Sequence, residues 1–231
     1  MSASRASAEG ASAAARPRAG GARPVKSGTD KRRLILDAAV RVFARRGFYA
    51  CRVSDIADEA GVAYGLVYHY FASKDEVLDT LFLERWDVML AMIREVDARP
   101  IPVREKLGEI VSFIVDSYRH DPDMMKVIIV EVTRAANSFG RTHIDHIRAA
   151  YDLIGEIVSK AQADGVFKSE IEPRFAAMAF YGVIEQLLTG WIFGLLPHGE
   201  EHFERAKWMV LETVYGGLEK SSVGETTRLA R

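Results

Sequence analysis

A chain of 231 residues, 48% hydrophobic and 27% charged, has the composition of a soluble globular protein rather than a disordered one. Its one cysteine, Cys51, rules out an intrachain disulfide and suits a reducing compartment. The net charge of −1 conceals a division: residues 1–74 carry 13 Lys/Arg against 6 Asp/Glu, and the remainder carries 18 against 26. A basic first third on an acidic remainder points one end of the molecule at an anion.

Residues 1–28 are Ala, Ser, Gly, Pro and Arg with almost no large apolar side chain, and are expected to form a disordered basic arm. The segment has neither the apolar stretch of a secretory signal nor the amphipathic face of a transit leader. The helical period begins at Thr29. Leu34, Ile35, Ala38, Ala39, Val42 and Phe43 share one apolar face, and Gly47 stands where a left-handed stop belongs. Lys31, Arg32 and Arg33 in the first turn oppose the helix macrodipole, which hints at an external anion.

A second helix is predicted from about residue 51 or 52 to 59, with Val53, Ile56 and Ala57 inward. Ala60-Gly61-Val62 forms a turn of three, and a short third helix covers 63–70. Helix, three-residue turn with glycine, helix is the spacing of a helix-turn-helix. Ser73-Lys74-Asp75-Glu76 reads as a capping box that opens a long helix to about 97, stopped by Pro100 and Pro102. Further helices are predicted near 103–120, 122–138, 141–164, 172–195 and 200–218. No stretch alternates with period two for long enough to make a strand, so the fold class is all-α.

A helix in the major groove needs side chains that reach base edges and phosphates, and small residues where its backbone comes close. The third helix, "AYGLVYHY", has that make-up. Gly65 costs the helix ~1 kcal/mol relative to alanine and would let it approach a duplex. Tyr64, Leu66 and His69 are read as facing bases, Leu66 by apolar contact alone. Tyr68 and Lys74 suit phosphates. Val67, Tyr70 and Phe71 are read as packing on the first two helices.

The stretch from Asp30 to Phe82 resembles the DNA-binding domain of the TetR family of bacterial regulators. Gly47-Phe48, Val53, Asp55-Ile56-Ala57, Ala60-Gly61-Val62, Gly65, Tyr68, Tyr70-Phe71 and Ser73-Lys74 stand at that family's positions. The resemblance implies a three-helix head over 29–73, a helical ligand-binding and dimerising body over 74–220, a flexible tail over 221–231, and operator binding controlled by a small molecule. Three departures stand out. Cys51-Arg52 replace the usual Thr or Ser before the second helix, and Ala63 replaces the usual Ser before the third. Each lost hydroxyl cap is worth ~1 kcal/mol. Arg52 is read instead as a direct phosphate contact. Tyr64 replaces the usual polar residue, which implies an operator outside the common set.

Residues 175–197 are apolar enough to span a bilayer, but Glu185 and Gln186 fall in their middle. A buried dimer-interface helix is the preferred reading, with no membrane partner. The next helix carries Phe203, Val210, Val214 and Leu218 on one stripe, flanked by Leu211 and Tyr215. Two such helices per subunit would build a four-helix homodimer interface, and a two-fold dimer reads a palindromic operator. The segment from Lys126 to Pro173, with "FYGVIEQLLTGWI" after it, resembles TetR-type regulators of fatty-acid degradation that respond to acyl-CoA. That resemblance implies a long apolar tunnel with a polar mouth. Met124, Ile128, Phe180, Ile184, Leu188 and Trp191 are its candidate liners, and Arg134, Asn137 and Gln186 its candidate polar anchors. A drug or aromatic effector is the alternative.

No enzymatic motif competes strongly. His198-Gly-Glu-Glu-His202 matches an inverted zinc-peptidase pattern, but His198 precedes the helix rather than sharing a turn with His202. His143 and His146 read as paired exposed histidines. No P-loop, Rossmann glycine pattern or Cys/His cluster calls for a cofactor.

Overall fold

The computed structural model describes residues 28–131 and 141–220, and the expected N-terminal arm and C-terminal tail lie outside them. Every regular element among the described residues is helical, apart from an isolated antiparallel bridge between Phe167 and Glu219. Helices α1 (Gly28–Arg46), α2 (Val53–Ala60) and α3 (Tyr64–Tyr70) come first. The stop after α1 is Gly47, at φ 81°, and the stop after α2 is Gly61, at φ 64°. Both adopt the left-handed conformation that glycine takes without steric cost.

Ile35, Ala38, Ala39, Val42 and Phe43 are buried as the periodicity predicts, but Leu34 is half-exposed and Leu36 is fully buried. The buried stripe is wider than one amphipathic face because α1 packs not only on α2 but also on α4 and on the segment from 122 to 131. Neither α2 nor α3 has a side-chain hydroxyl cap, in line with Arg52 and Ala63 at those positions. The Asp55 carboxylate supplies half of a box, accepting the Arg52 amide at 2.7 Å. A guanidinium has no acceptor with which to return the bond.

Helix α4 (Lys74–Ala98) is the longest among the described residues, at 25 residues. Its start is capped by the Ser73 hydroxyl, which accepts the Glu76 amide at 3.1 Å. The Glu76 carboxylate reaches past the Ser73 amide, which a capping box would use, and accepts the Ala72 amide at 2.5 Å. From there α4 packs on α5 (Val103–His120) and α7 (Arg141–Ala163). Helix α8 (Pro173–Ile192) lies against α7, and α9 (Glu200–Leu218) against α5 and α8.

The one helix expected over 122–138 divides. Helix α6 is only Pro122–Lys126, and Val127–Glu131 widen into a π turn. The rest of that expected helix lies outside the described residues. Such π turns shift side-chain register and concentrate at functional sites.

Helix α8 is long and apolar enough to cross a bilayer by length and composition alone. In this fold Ala176, Ala177, Phe180, Ile184, Leu188 and Trp191 are buried inside the protein. Its Trp191 ring stacks on Tyr118 of α5 at 5.6 Å and meets Phe203 of α9 edge-on at 4.9 Å. The stripe Phe203, Val210, Leu218, with Tyr215, is buried within the chain and is therefore core rather than a free interface face. The side chains that α8 and α9 leave exposed are others: Phe175, Met178 and Val183 on α8, Trp208 and Met209 on α9.

Candidate nucleic-acid interface and effector cleft

Helix α3 is two-sided. Val67 and the following Phe71 are buried, which fixes the helix on the head. On the other side Tyr64 and Tyr68 are 53% and 45% exposed, Ala63, Gly65 and His69 are also exposed, and Leu66 is half-buried. The Tyr64 hydroxyl donates to that of Tyr68 at 3.1 Å, and their rings meet edge-on at 5.1 Å. Tyr70 is half-buried with its ring against His69, consistent with a mainly packing role.

Gly65 is the informative residue on this face. A methyl group added there would meet no atom within 4 Å. Nothing among the described residues requires glycine at this place, although a helix former would stabilise α3 by up to ~1 kcal/mol.

Most of the head's positive charge is already paired. Arg41 and Arg45 share Glu59 at 2.6 and 2.5 Å, and Arg46 meets Asp55 at 2.7 Å. Arg32 pairs with Glu84 at 2.8 Å and Arg33 with Asp37 at 2.9 Å. The break of the macrodipole rule in the first turn of α1 thus has an internal cause for two of its three cations. Arg52, by contrast, is exposed, and its guanidinium makes no hydrogen bond or ion pair among the described residues. Lys74 is half-buried: its ammonium donates to the carbonyls of Phe48 at 2.5 Å and Cys51 at 3.0 Å and lies over the Phe48 ring. It ties down the loop that presents Arg52, with one donor left over.

A cleft of about 610 Å³ opens where α1 meets α4, α5 and α6, with Arg33, Arg85, Phe113, His120 and Met124 among its walls. A neck of about 20 Å³ continues inward between Arg85, Trp86, Phe113, Met125, Ile128 and Tyr181. Beyond it, about 200 Å³ lies between Phe82, Trp86, Ile129, Ile147, Tyr151 and Glu185. Shared walls join the three spaces: Arg85, Phe113 and Met125 between the first two, Trp86, Ile128 and Tyr181 between the last two. Burial pushes the phenols of Tyr181 and Tyr151 and the carboxyl of Glu185 up, so the inner end favours uncharged groups.

Met124 and Ile128, both read from the sequence as liners, are among the walls of these spaces. Phe180, Ile184, Leu188 and Trp191 line none of the three; they are packed in the core on another face of α8. Gln186 is exposed outside, and its neighbour Glu185 takes the polar place at the inner end. Successive helical residues differ by about 100°, so an assignment one residue off lands on the wrong face. Arg134 and Asn137 lie outside the described residues. Sequence reasoning missed Arg85, though a signal exists: Leu78, Leu81, Phe82, Trp86 and Met89 repeat with helical period, and Arg85 occupies an apolar place in that stripe.

The histidines behave differently from expectation. His143 is buried rather than exposed, and its Nε2 lies 3.3 Å from Asp79 of α4. His146 faces Asp87 at 3.1 Å, so both clamp α7 to α4. His198 precedes α9, and no three His, Cys, Asp or Glu side chains among the described residues group to hold a metal.

A helix-turn-helix with an aromatic, glycine-notched outer face, joined by a long helix to a helical body, defines the class: helix-turn-helix DNA-binding proteins with an appended body. Residues 35–81 match the family of bacterial regulatory proteins described as the tetR family, and residues 82–197 match the C-terminal region of YsiA-like protein. The chain belongs to the TetR family and is a transcriptional regulator. It is 30% identical over 159 residues to the fatty acid metabolism regulator protein of Bacillus subtilis, covering 68% of this chain and 81% of that one. The solved fatty acid degradation regulator FadR of Bacillus halodurans is similar at 27% identity and a TM-score of 0.74, over 81% of this chain and 96% of its own. The Bacillus subtilis regulator FadR, solved in complex with stearoyl-CoA, shares the fold at 24% identity and a TM-score of 0.72, over 81% and 99%.

Proposed function

We propose that this regulator is a cytoplasmic repressor. It binds a palindromic operator as a homodimer and is released by an effector with a linear apolar chain, of the acyl-CoA type. The head spans 29–73 and the body 74–220. The carrying observation is Gly65: a helix-weakening residue with open space around it, between two exposed tyrosines. Its fitness lies in what the helix meets outside the chain.

Base contacts fall to Tyr64, Gly65, Leu66 and His69, with Ala63 at the close-approach end. Phosphate contacts fall to Arg52, Tyr68 and the spare donor of Lys74. Exposed Phe175, Met178, Trp208 and Met209 supply an apolar surface for the second copy. The narrow neck favours a flexible chain over a rigid ring system, because a chain threads single file where a ring must displace Trp86, Phe113 and Tyr181 together.

Selection of bound sequences from a random duplex library tests the reading, since half-site, spacing and symmetry emerge together. Titrating the selected complex with an acyl-CoA then reads release. A ligand moves the equilibrium only by its preference for the released state. Recovery of no enriched, two-fold symmetric sequence would refute operator binding, whereas an operator complex indifferent to saturating acyl-CoA would refute only the effector.

A further inference from the structure

Arg85 is a half-buried cation without a hydrogen-bonding or ionic partner among the described residues. Its guanidinium lies over the Phe113 ring at 5.1 Å and lines both the outer cleft and the neck. Among the described residues it makes no hydrogen bond and no ion pair. The acids around it are engaged elsewhere. Asp121 caps α6 by accepting the Met124 amide at 2.9 Å, Asp116 pairs with Lys207 at 2.8 Å, and Glu84 pairs with Arg32.

Burial depresses the guanidinium's pKa, opposed only by the nearby Asp121 charge. A partly desolvated guanidinium with free donors is costly to leave unsatisfied and binds carboxylates and phosphates in bidentate fashion. Arg33, which pairs with Asp37 at 2.9 Å and lies 3.7 Å from Glu84, lines the same cleft from α1, so an anion held at Arg85 shares the cleft with a cation of the DNA-binding head.

We propose that Arg85 is the receptor for the acidic group of the effector. A carboxylate or phosphate is held at the cleft between Arg85 and Arg33, and the apolar chain runs inward past Trp86. This assignment rests on the effector reading given above, and it adds a charge requirement that an apolar cavity alone does not impose.

The test titrates the full-length protein with dodecanoate, dodecanoyl-CoA and uncharged methyl dodecanoate by calorimetry. Arg85→Gln is expected to weaken at least one of the two anionic ligands by roughly 10- to 100-fold, the range of a charge-assisted bond, and to leave the methyl ester within about twofold. Retained ester binding also shows that the variant folds, and Arg85→Lys should recover part of the loss. Loss confined to dodecanoate assigns the anion as a carboxylate; loss confined to dodecanoyl-CoA assigns it as a phosphate. Equal binding of all three ligands by wild type and Arg85→Gln would overturn the assignment while sparing the effector reading. Failure of the wild type to bind any of the three would overturn both.

Discussion

The ammonium of Lys126, at the end of α6, donates to the carbonyl of Ala44 in the last turn of α1 at 2.8 Å. The last carbonyls of a helix have no intrahelical donor and carry the negative end of its dipole, so a cation is well placed there. Lys126 is followed directly by the π turn whose Ile128 walls the neck, so a hydrogen bond and a two-residue step connect the head's α1 to the neck proposed above for the effector. Lys126→Met should cost about 1–2 kcal/mol in urea unfolding. It should also shrink the factor by which an effector weakens operator binding, read by fluorescence anisotropy. Unchanged coupling would locate the link between body and head elsewhere.

Gly65→Ala separates folding from recognition. With open space at the Cβ position, the substitution should raise stability by up to ~1 kcal/mol, seen as a higher melting temperature. The same methyl group should lower operator affinity at least roughly tenfold, the effect of about 1.4 kcal/mol. Two opposite signs from one carbon atom are the expected result. Equal operator affinity would mean that α3 does not approach the duplex closely at this place.

Two carboxylates should respond to pH in opposite directions. Asp97 is partly buried, which pushes its carboxyl up. Hydrogen bonds from Lys160 at 2.5 Å and Lys106 at 3.3 Å outweigh that and hold it below the ordinary 3.8. A depressed folded pKa contributes stability that is present above 3.8 and lost as pH falls through the folded value. Asp97→Asn should therefore destabilise at neutral pH and flatten the acid limb of a stability-against-pH curve.

Glu185 is the reverse case, since burial alone lifts its carboxyl above 4.5. Its contribution is most favourable below 4.5 and declines as pH rises through the folded value. Glu185→Gln should stabilise the protein at neutral pH and have little effect near pH 4. Equilibrium urea titrations across this range measure both.

The surface proposed for the second copy lends itself to a contrast. Phe175 and Trp208 are 67% and 59% exposed, whereas Val210 is buried. Phe175→Glu with Trp208→Glu should leave the fold intact and weaken the dimer by roughly 100-fold or more, as for loss of two aromatic anchors. Val210→Glu should instead unfold the protein. Sedimentation velocity with circular dichroism distinguishes these outcomes. A double variant that remains a dimer would move the interface off these residues.

Local rules legible in the sequence carried the element map and the recognition helix. Gly47 and Gly61 stop helices because only glycine takes their backbone angles freely, and Ser73 starts α4 because its hydroxyl meets a free amide. Tyr64, Gly65 and Tyr68 could be placed outward because buried Val67 and Phe71 mark the opposite face of a short helix. The body is different. In α8 nearly every side is apolar, so periodicity points nowhere, and only packing decided that Tyr181 and Glu185 line the space beyond the neck while Phe180 and Ile184 face the core. The same holds for α9, whose Val210 stripe is satisfied within the chain, and for Arg85, whose missing partner is visible only once the acids of three helices are seen to be engaged elsewhere. A hydrophobic pattern states that a face must be covered; the tertiary structure alone states by what.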